Sequence, residues 1–301
     1  MNGKIKAWII AIRFQTLSLS VSGVVLSGFI VYSKQLFDIN IFLLVLSTTL
    51  LLQILSNLAN DYGDYKHGTD NNNRIGPARA LQSGVLNVNE MRVALYVIVL
   101  LTFASGILLL LNAFNFTFNY LFIVFLIIGV LAIGTAIKYT VGKKPFGYNG
   151  LGDIMVFIFF GIVSVVGTYF LFTKQIDKII LLPATSIGLL SAGVLNINNL
   201  RDIENDKISN KNTLAVKMGV KKNKLYHITI LALSIALLIS YLYILNKEIA
   251  ILFLIIPIVL LVIHGVTIFR NKELSELNKE LKKLSLITLL VSVLVGVGII
   301  L

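Results

Sequence analysis

Residues 60–70 read N-D-Y-G-D-Y-K-H-G-T-D and follow directly on an apolar run, residues 40–59. Asp61, Asp64 and Asp70 share this one window in a chain with only 14 acidic residues. The surroundings make the clustering unusual. Hydrophobic residues make up 57% of the 301, mean hydropathy is +0.89, and only 13% of residues are charged, against ~25% in soluble domains. Surface-to-volume scaling leaves a soluble domain too little interior to hide so much apolar surface.

The apolar residues also come in blocks. About 20 consecutive apolar residues cross a bilayer core as a helix, with a range of roughly 17–25. Nine stretches qualify: 15–33, 40–59, 93–112, 119–137, 151–172, 179–198, 227–245, 249–269 and 284–301. The first runs on too long, without a small-residue cleavage site, to be a removable signal. The fold class is therefore all-α and polytopic, with the bilayer as its partner.

A net charge of +12 raises nucleic acid as a partner, but the basic residues are distributed otherwise. With nine spans, 22 Lys and Arg fall on the side of the N-terminus and the 2–3, 4–5, 6–7 and 8–9 loops, and 4 on the other. That asymmetry places the richer side in the cytoplasm by the positive-inside rule and leaves no basic surplus for nucleic acid. Cysteine is absent, which excludes disulfides and thiolate metal sites. His67, His227 and His264 lack metal-ligand spacing and read as polar loop and helix-end residues.

The two long connections, 60–92 and 199–226, lie on the basic side and hold the acidic clusters. At 100° per residue, Gln53, Asn57, Asn60, Asp61 and Asp64 fall within an arc of roughly 100°, one helix face. Asn196, Asn199, Asp202 and Asp206 do the same on the sixth span. Each face carries amides deeper and carboxylates at the membrane edge. Polar groups at membrane depth are costly and normally face a bundle interior or a wet cavity, and two such faces can share one. Asp61 and Asp202 are 141 residues apart, and Asp64 and Asp206 are 142 apart, a spacing compatible with an internal repeat.

Carboxylates and amides without thiol or imidazole are hard oxygen ligands. They suit Mg²⁺, which takes one or two carboxylates and completes its shell with water and substrate phosphate. Lys66, Arg74 and Arg79 near the first face, and Arg201, Lys207, Lys211 and Lys217 near the second, are cations that can hold phosphate. The pattern predicts a Mg²⁺–diphosphate site at the cytoplasmic edge.

N-D-Y-G-D-Y-K-H-G-T-D resembles the first aspartate-rich motif of the UbiA superfamily of intramembrane prenyltransferases, commonly N-D-x-x-D-x-x-x-D. N-N-L-R-D-I-E-N-D, residues 198–206, resembles the second, with Asn199 where many members carry Asp. Gly68 occupies the third-Asp position, and the acid appears instead at Asp70. This G-T-D variant resembles the 1,4-dihydroxy-2-naphthoate polyprenyltransferase branch, the MenA type. So do residues 71–84, N-N-N-R-I-G-P-A-R-A-L-Q-S-G, and 138–153, K-Y-T-V-G-K-K-P-F-G-Y-N-G-L-G-D.

The resemblance implies a single domain over 1–301, nine helices around a central cavity open to the cytoplasmic side, and transfer of a polyprenyl group from its diphosphate to an aromatic ring. In this branch the ring is 1,4-dihydroxy-2-naphthoate, which loses CO₂; 4-hydroxybenzoate is the alternative acceptor. Asp61 and Asp64 are expected to hold one Mg²⁺ and Asp202 and Asp206 the other, with Asp70 as a further ligand or a loop anchor. Asn57, Asn60 and Asn199 are expected as amide ligands or orienters, and Arg79 and Lys211 as diphosphate contacts. Lys138, Tyr139 and Asp153 are candidates to orient the acceptor or the diphosphate. A transporter is the rival class, but it places acids near the midplane rather than at one edge.

Overall fold

The computed structural model describes residues 3–71 and 74–301. Met1, Asn2, Asn72 and Asn73, the last two inside the 71–84 stretch, lie outside the described residues. Among the described residues the fold is all helical, and nine helical stretches are long and apolar enough to cross a membrane: Gly3–Ser33, Ile39–Lys66, Val88–Ala113, Tyr120–Lys138, Gly152–Thr173, Lys178–Arg201, Leu214–Ile244, Glu248–Arg270 and Leu274–Ile300. We call them spans one to nine.

Several spans exceed the apolar windows that predict them. Span two runs on to Lys66 instead of ending near 59, and span seven begins at Leu214 rather than 227. Hydropathy ends where polar side chains begin, whereas backbone hydrogen bonding continues to the next cap. Those caps are local: Asp38 accepts from the Asn40 and Ile41 amides, Asn87 forms a capping box with Glu90, and Thr213 accepts from Val216.

Span one is two helices, Gly3–Ile12 and Phe14–Ser33, broken at Arg13 with φ 54°. Asn57 of span two holds the break, donating from Nδ2 to the Ile12 carbonyl (2.7 Å) and to Thr16 Oγ1 (2.9 Å). Pro183 and Pro257 sit early in their helices, Leu181–Arg201 and Ile255–Arg270, where a missing N–H costs little.

Span six is the most enclosed of the nine. It packs between spans five and seven and against span nine. The main core gathers buried Leu, Ile and Val from spans one, five, six, seven, eight and nine, among them Leu26, Ile187, Leu190, Leu238 and Leu284. Spans five and six approach at backbone distance: a Cβ on Gly161 would lie 2.5 Å from the Ala184 carbonyl. Phe157–Gly167 of span five is π-helical, a wide turn that carries Phe159, Phe160 and Val163 along a cavity wall. That cavity, about 620 Å³, runs among spans one to six. Its walls are apolar, with Phe103, Phe125 and Phe170, and its polar lining includes Asn57, Asn60, Asp64 and Asn199.

Candidate active site

The first motif is set by the end of span two. Gln53, Asn57, Asn60 and Asp64 line the cavity. Asp61 is fully buried beside them, held by the Arg13 guanidinium and by Arg79, whose Nη1 donates to Oδ1 at 2.6 Å. The helix then stops at Gly68, whose φ of 72° lies in the left-handed region that favours glycine. This accounts for the displaced acid. The position of the third aspartate is the helix-ending residue, and the carboxylate comes two residues later, in the loop. That loop is docked: Ala80, Leu81 and Leu86 are buried with Ala7, Ala11, Leu58 and Met91, which carries Arg79 back over Asp61.

The second motif closes span six. Asn198 and Asn199 line the cavity, Asp202 follows the last helical residue, and the short helix Ile203–Ile208 carries Asp206. Two cations tie the motifs together. Arg74 Nε lies 3.3 Å from Asp70 and 3.9 Å from Asp202. Lys211 Nζ lies 3.6 Å from Asp64 and 3.9 Å from Asp206. Asn205 Nδ2 adds a bond to the Thr69 carbonyl at 2.9 Å. The two acidic segments therefore face each other across one mouth.

Electrostatics differ from one acid to the next. Burial, with the Asp64 charge nearby and against the pull of Arg74, lifts Asp70 to about 7. Burial lifts Asp206 to about 7 as well, opposed by Lys211. Burial also acts on Asp202, but the Arg201 hydrogen bonds and charge outweigh it and hold this carboxyl below its usual range. Lys211 is desolvated, yet the surrounding carboxylates raise it and keep it cationic. Asp61 Oδ2 and both oxygens of Asp70 are buried without a hydrogen-bond partner. Such acceptors are rare in folded proteins. Together with the hard-oxygen donor set, they fit a divalent cation of the Mg²⁺ type.

The remaining candidates divide. Tyr139 lines the cavity. Asn60 accepts from Thr140 Oγ1 at 3.2 Å, and Asn57 accepts from Gln53 Nε2 at 3.1 Å, so Asn57 reaches the site chiefly by fixing the break at Arg13. Lys138 is exposed and does not line the cavity, because span four turns it outward. Asp153 is buried away from the cavity, with Tyr226 Oη donating at 3.4 Å. Lys66 and Lys207 are exposed, and Lys217 donates to the Asn149 carbonyl at 2.8 Å.

Two expectations need correction. Asn196 does not share the Asn199 face: its Oδ1 lies 3.1 Å from His227 Nδ1, against span seven. An arc of roughly 100° is wide enough for its edges to meet different neighbours. His227 and His264 are not loop or helix-end residues. Both are buried, their Nε2 atoms 3.1 Å apart, and His264 Nδ1 lies 2.7 Å from Glu280 Oε2. Spacing along the chain could not reveal a contact made between separate spans.

Sequence reasoning missed Arg13 and Tyr148. Arg13 was counted only as a basic residue near the N-terminus. Tyr148 Oη donates to Asp64 Oδ1 at 2.9 Å and lies 2.5 Å from Thr69 Oγ1. A Pro-Phe-Gly-Tyr-Asn turn next to an apolar span was the available signal for the second.

The chain resembles characterised proteins over its whole length. It is 40% identical to a 1,4-dihydroxy-2-naphthoate octaprenyltransferase of Haemophilus influenzae, over 99% of this chain and 97% of that one. It is 45% identical to the enzyme of the same name from Escherichia coli, over 75% and 73%. A UbiA homologue from Archaeoglobus fulgidus, solved with DMAPP and Mg²⁺, superposes with TM-score 0.66 at 15% identity, covering 98% of this chain and 99% of that one. The apo UbiA homologue from Aeropyrum pernix gives TM-score 0.68 at 18% identity, covering 96% and 98%. With the UbiA prenyltransferase family profile matching residues 21–287 as well, this chain belongs to the UbiA prenyltransferase family.

Proposed function

We propose that the protein transfers a polyprenyl group from polyprenyl diphosphate to 1,4-dihydroxy-2-naphthoate, releasing diphosphate and CO₂ and giving the prenylated naphthalenediol, the reduced (quinol) form of demethylmenaquinone. The observation that carries the reading is the pairing of two Asn/Asp faces, bridged by Arg74 and Lys211, beside an apolar cavity. Identity of 40–45% to dihydroxynaphthoate octaprenyltransferases supports the acceptor.

In this reading Asp61, Asp64, Asp202 and Asp206 would hold two Mg²⁺ ions, with Asp70, Asn60 and Asn199 beside them. When bound, Mg²⁺ neutralises the diphosphate and makes it a competent leaving group. Arg79 and Lys211 contact the phosphates, and Tyr148 orients Asp64. The prenyl tail lies along the cavity, where Phe103, Phe159 and Phe170 exclude water and present π faces to the allylic cation. Tyr139, in the cavity wall, positions the acceptor ring. Its phenol is held protonated by burial and by the Asp153 charge, so it serves as a hydrogen-bond donor. The dihydroxynaphthoate ring is electron-rich, and loss of its own carboxylate as CO₂ restores aromaticity, so no strong protein base is required. We place the N-terminus and both motif loops on the cytoplasmic side of the cell membrane, and the chain as one catalytic domain.

The test is direct. Protein purified in detergent with Mg²⁺, dihydroxynaphthoate and polyprenyl diphosphates of several lengths should yield prenylated, decarboxylated product by mass spectrometry, and EDTA should abolish it. Prenylation of 4-hydroxybenzoate in its place would overturn the acceptor assignment.

A further inference from the structure

The carboxylates of the two motifs already have protein counter-ions. Asp61 is held by Arg13 and Arg79. Asp70 is 3.3 Å from Arg74 and 3.7 Å from Arg79. Asp202 is 2.5 Å from Arg201 and 3.9 Å from Arg74. Asp64 and Asp206 share Lys211. Five carboxylates thus face five cations, Arg13, Arg74, Arg79, Arg201 and Lys211, and the formal charge of the cluster is zero. All ten side chains are in a weakly solvated mouth, where an uncompensated charge is expensive.

A lone divalent cation meets two obstacles here. It must displace a guanidinium or ammonium from its carboxylate, and so break a buried ion pair. It also leaves two surplus positive charges per ion. A diphosphate ester removes both. It carries about three negative charges near neutral pH, so two divalent ions entering with it change the cluster by only about one charge. Its oxygens also accept the displaced guanidinium forks and ammonium.

The cations fall into two groups by position. Arg13, Arg79 and Lys211 line the cavity, where a diphosphate would sit. Arg201 and Arg74 do not line it. Arg201 is pinned by Asn278 Oδ1 (2.7 Å) and Asn198 Oδ1 (2.9 Å), and Arg74 Nη1 donates to the Pro77 carbonyl at 2.6 Å. We infer that Arg13, Arg79 and Lys211 are exchangeable counter-ions, which hold Asp61, Asp64 and Asp206 until a diphosphate arrives and then transfer to it, so that the site takes metal only together with diphosphate. Arg74 and Arg201 are fixed compensators that stay with Asp70 and Asp202. The inference rests on the diphosphate reading of the site and adds an order of assembly to it.

Mn²⁺ is the probe, its binding to purified protein followed by electron paramagnetic resonance at pH 8, with and without unreactive farnesyl S-thiolodiphosphate. For the wild-type protein, Mn²⁺ affinity should be at least about tenfold weaker without the analogue. Arg13→Gln should shift the two ligands in opposite senses, binding Mn²⁺ alone about tenfold tighter and the analogue about tenfold weaker. Arg13→Lys should restore the wild-type pattern. A fold defect would weaken both ligands, so the opposite signs separate the inference from a structural role, and the wild-type comparison needs no variant. Equal Mn²⁺ affinity with and without the analogue overturns the inference and leaves the diphosphate reading intact. Weakening of both ligands by Arg13→Gln overturns the counter-ion role of that residue. Failure of the wild type to bind Mn²⁺ and analogue together overturns the reading and the inference with it.

Discussion

Gly68 shows how one residue fixes the position of a functional group. Its φ of 72° ends the span-two helix, and among the described residues nothing beyond its chain neighbours lies within 4 Å of where its Cβ would be. A substitution there meets backbone strain rather than a clash. Gly68→Ala is expected to cost about 1 kcal/mol, seen as a lower apparent Tm in detergent, and Gly68→Asn clearly less, because Asn tolerates the left-handed region. Equal losses for the two would show that the left-handed turn is not what the glycine supplies. At this scale the sequence was partly legible. The glycine departure in the motif was visible, but its cause is a backbone angle that only the structure displays. Arg13 was illegible for a related reason. It acts from a helix break, and the break is held by Asn57, 44 residues away along the chain.

Spans are the scale at which sequence spoke most clearly, because an apolar helix in a bilayer satisfies its own backbone and its hydropathy records the fact. All nine expected stretches fall within or against observed spans. The partners of those spans were not legible. Asn196, His227, His264 and Glu280 lie on spans six, seven, eight and nine and form one buried chain ending at Lys283, whose Nζ donates to Glu280 Oε1 at 2.5 Å. These polar links give the apolar spans a defined register, which nonspecific packing would leave free. His264→Leu removes one buried partner each from His227 Nε2 and Glu280 Oε2 and should destabilise the bundle by roughly 2–3 kcal/mol. Adding His227→Leu should then cost less than either replacement alone predicts, because one orphaned group is removed. Additive losses in thermal melts would show that the histidines do not interact.

At the scale of the whole molecule, the buried carboxylates of the site should make the stability of metal-free protein depend on pH. Asp70 and Asp206 are raised from an ordinary 3.8 to about 7. Between those values the folded chain holds more protons than the unfolded one, so stability falls as pH rises through about 7. Asp202, held below its usual range, acts in the opposite sense only at more acid pH. The apparent Tm of metal-free protein is therefore expected to drop from pH 5 to pH 8, and Asp206→Asn should flatten that slope. A Tm that rises over the same range would contradict the assignment. Saturating Mg²⁺ with a diphosphate should also flatten it, because bound ligands stabilise the ionised carboxylates.

The central claim is that the two motifs, 141 residues apart at Asp61 and Asp202, make one diphosphate-activating site. The most direct measurement is turnover of Asp61→Asn and Asp202→Asn with dihydroxynaphthoate and a polyprenyl diphosphate, alongside circular dichroism of each variant. Each variant should keep its helical content and lose at least about 100-fold in turnover, as expected when a metal-anchoring charge is removed. Full turnover in either variant would contradict the account.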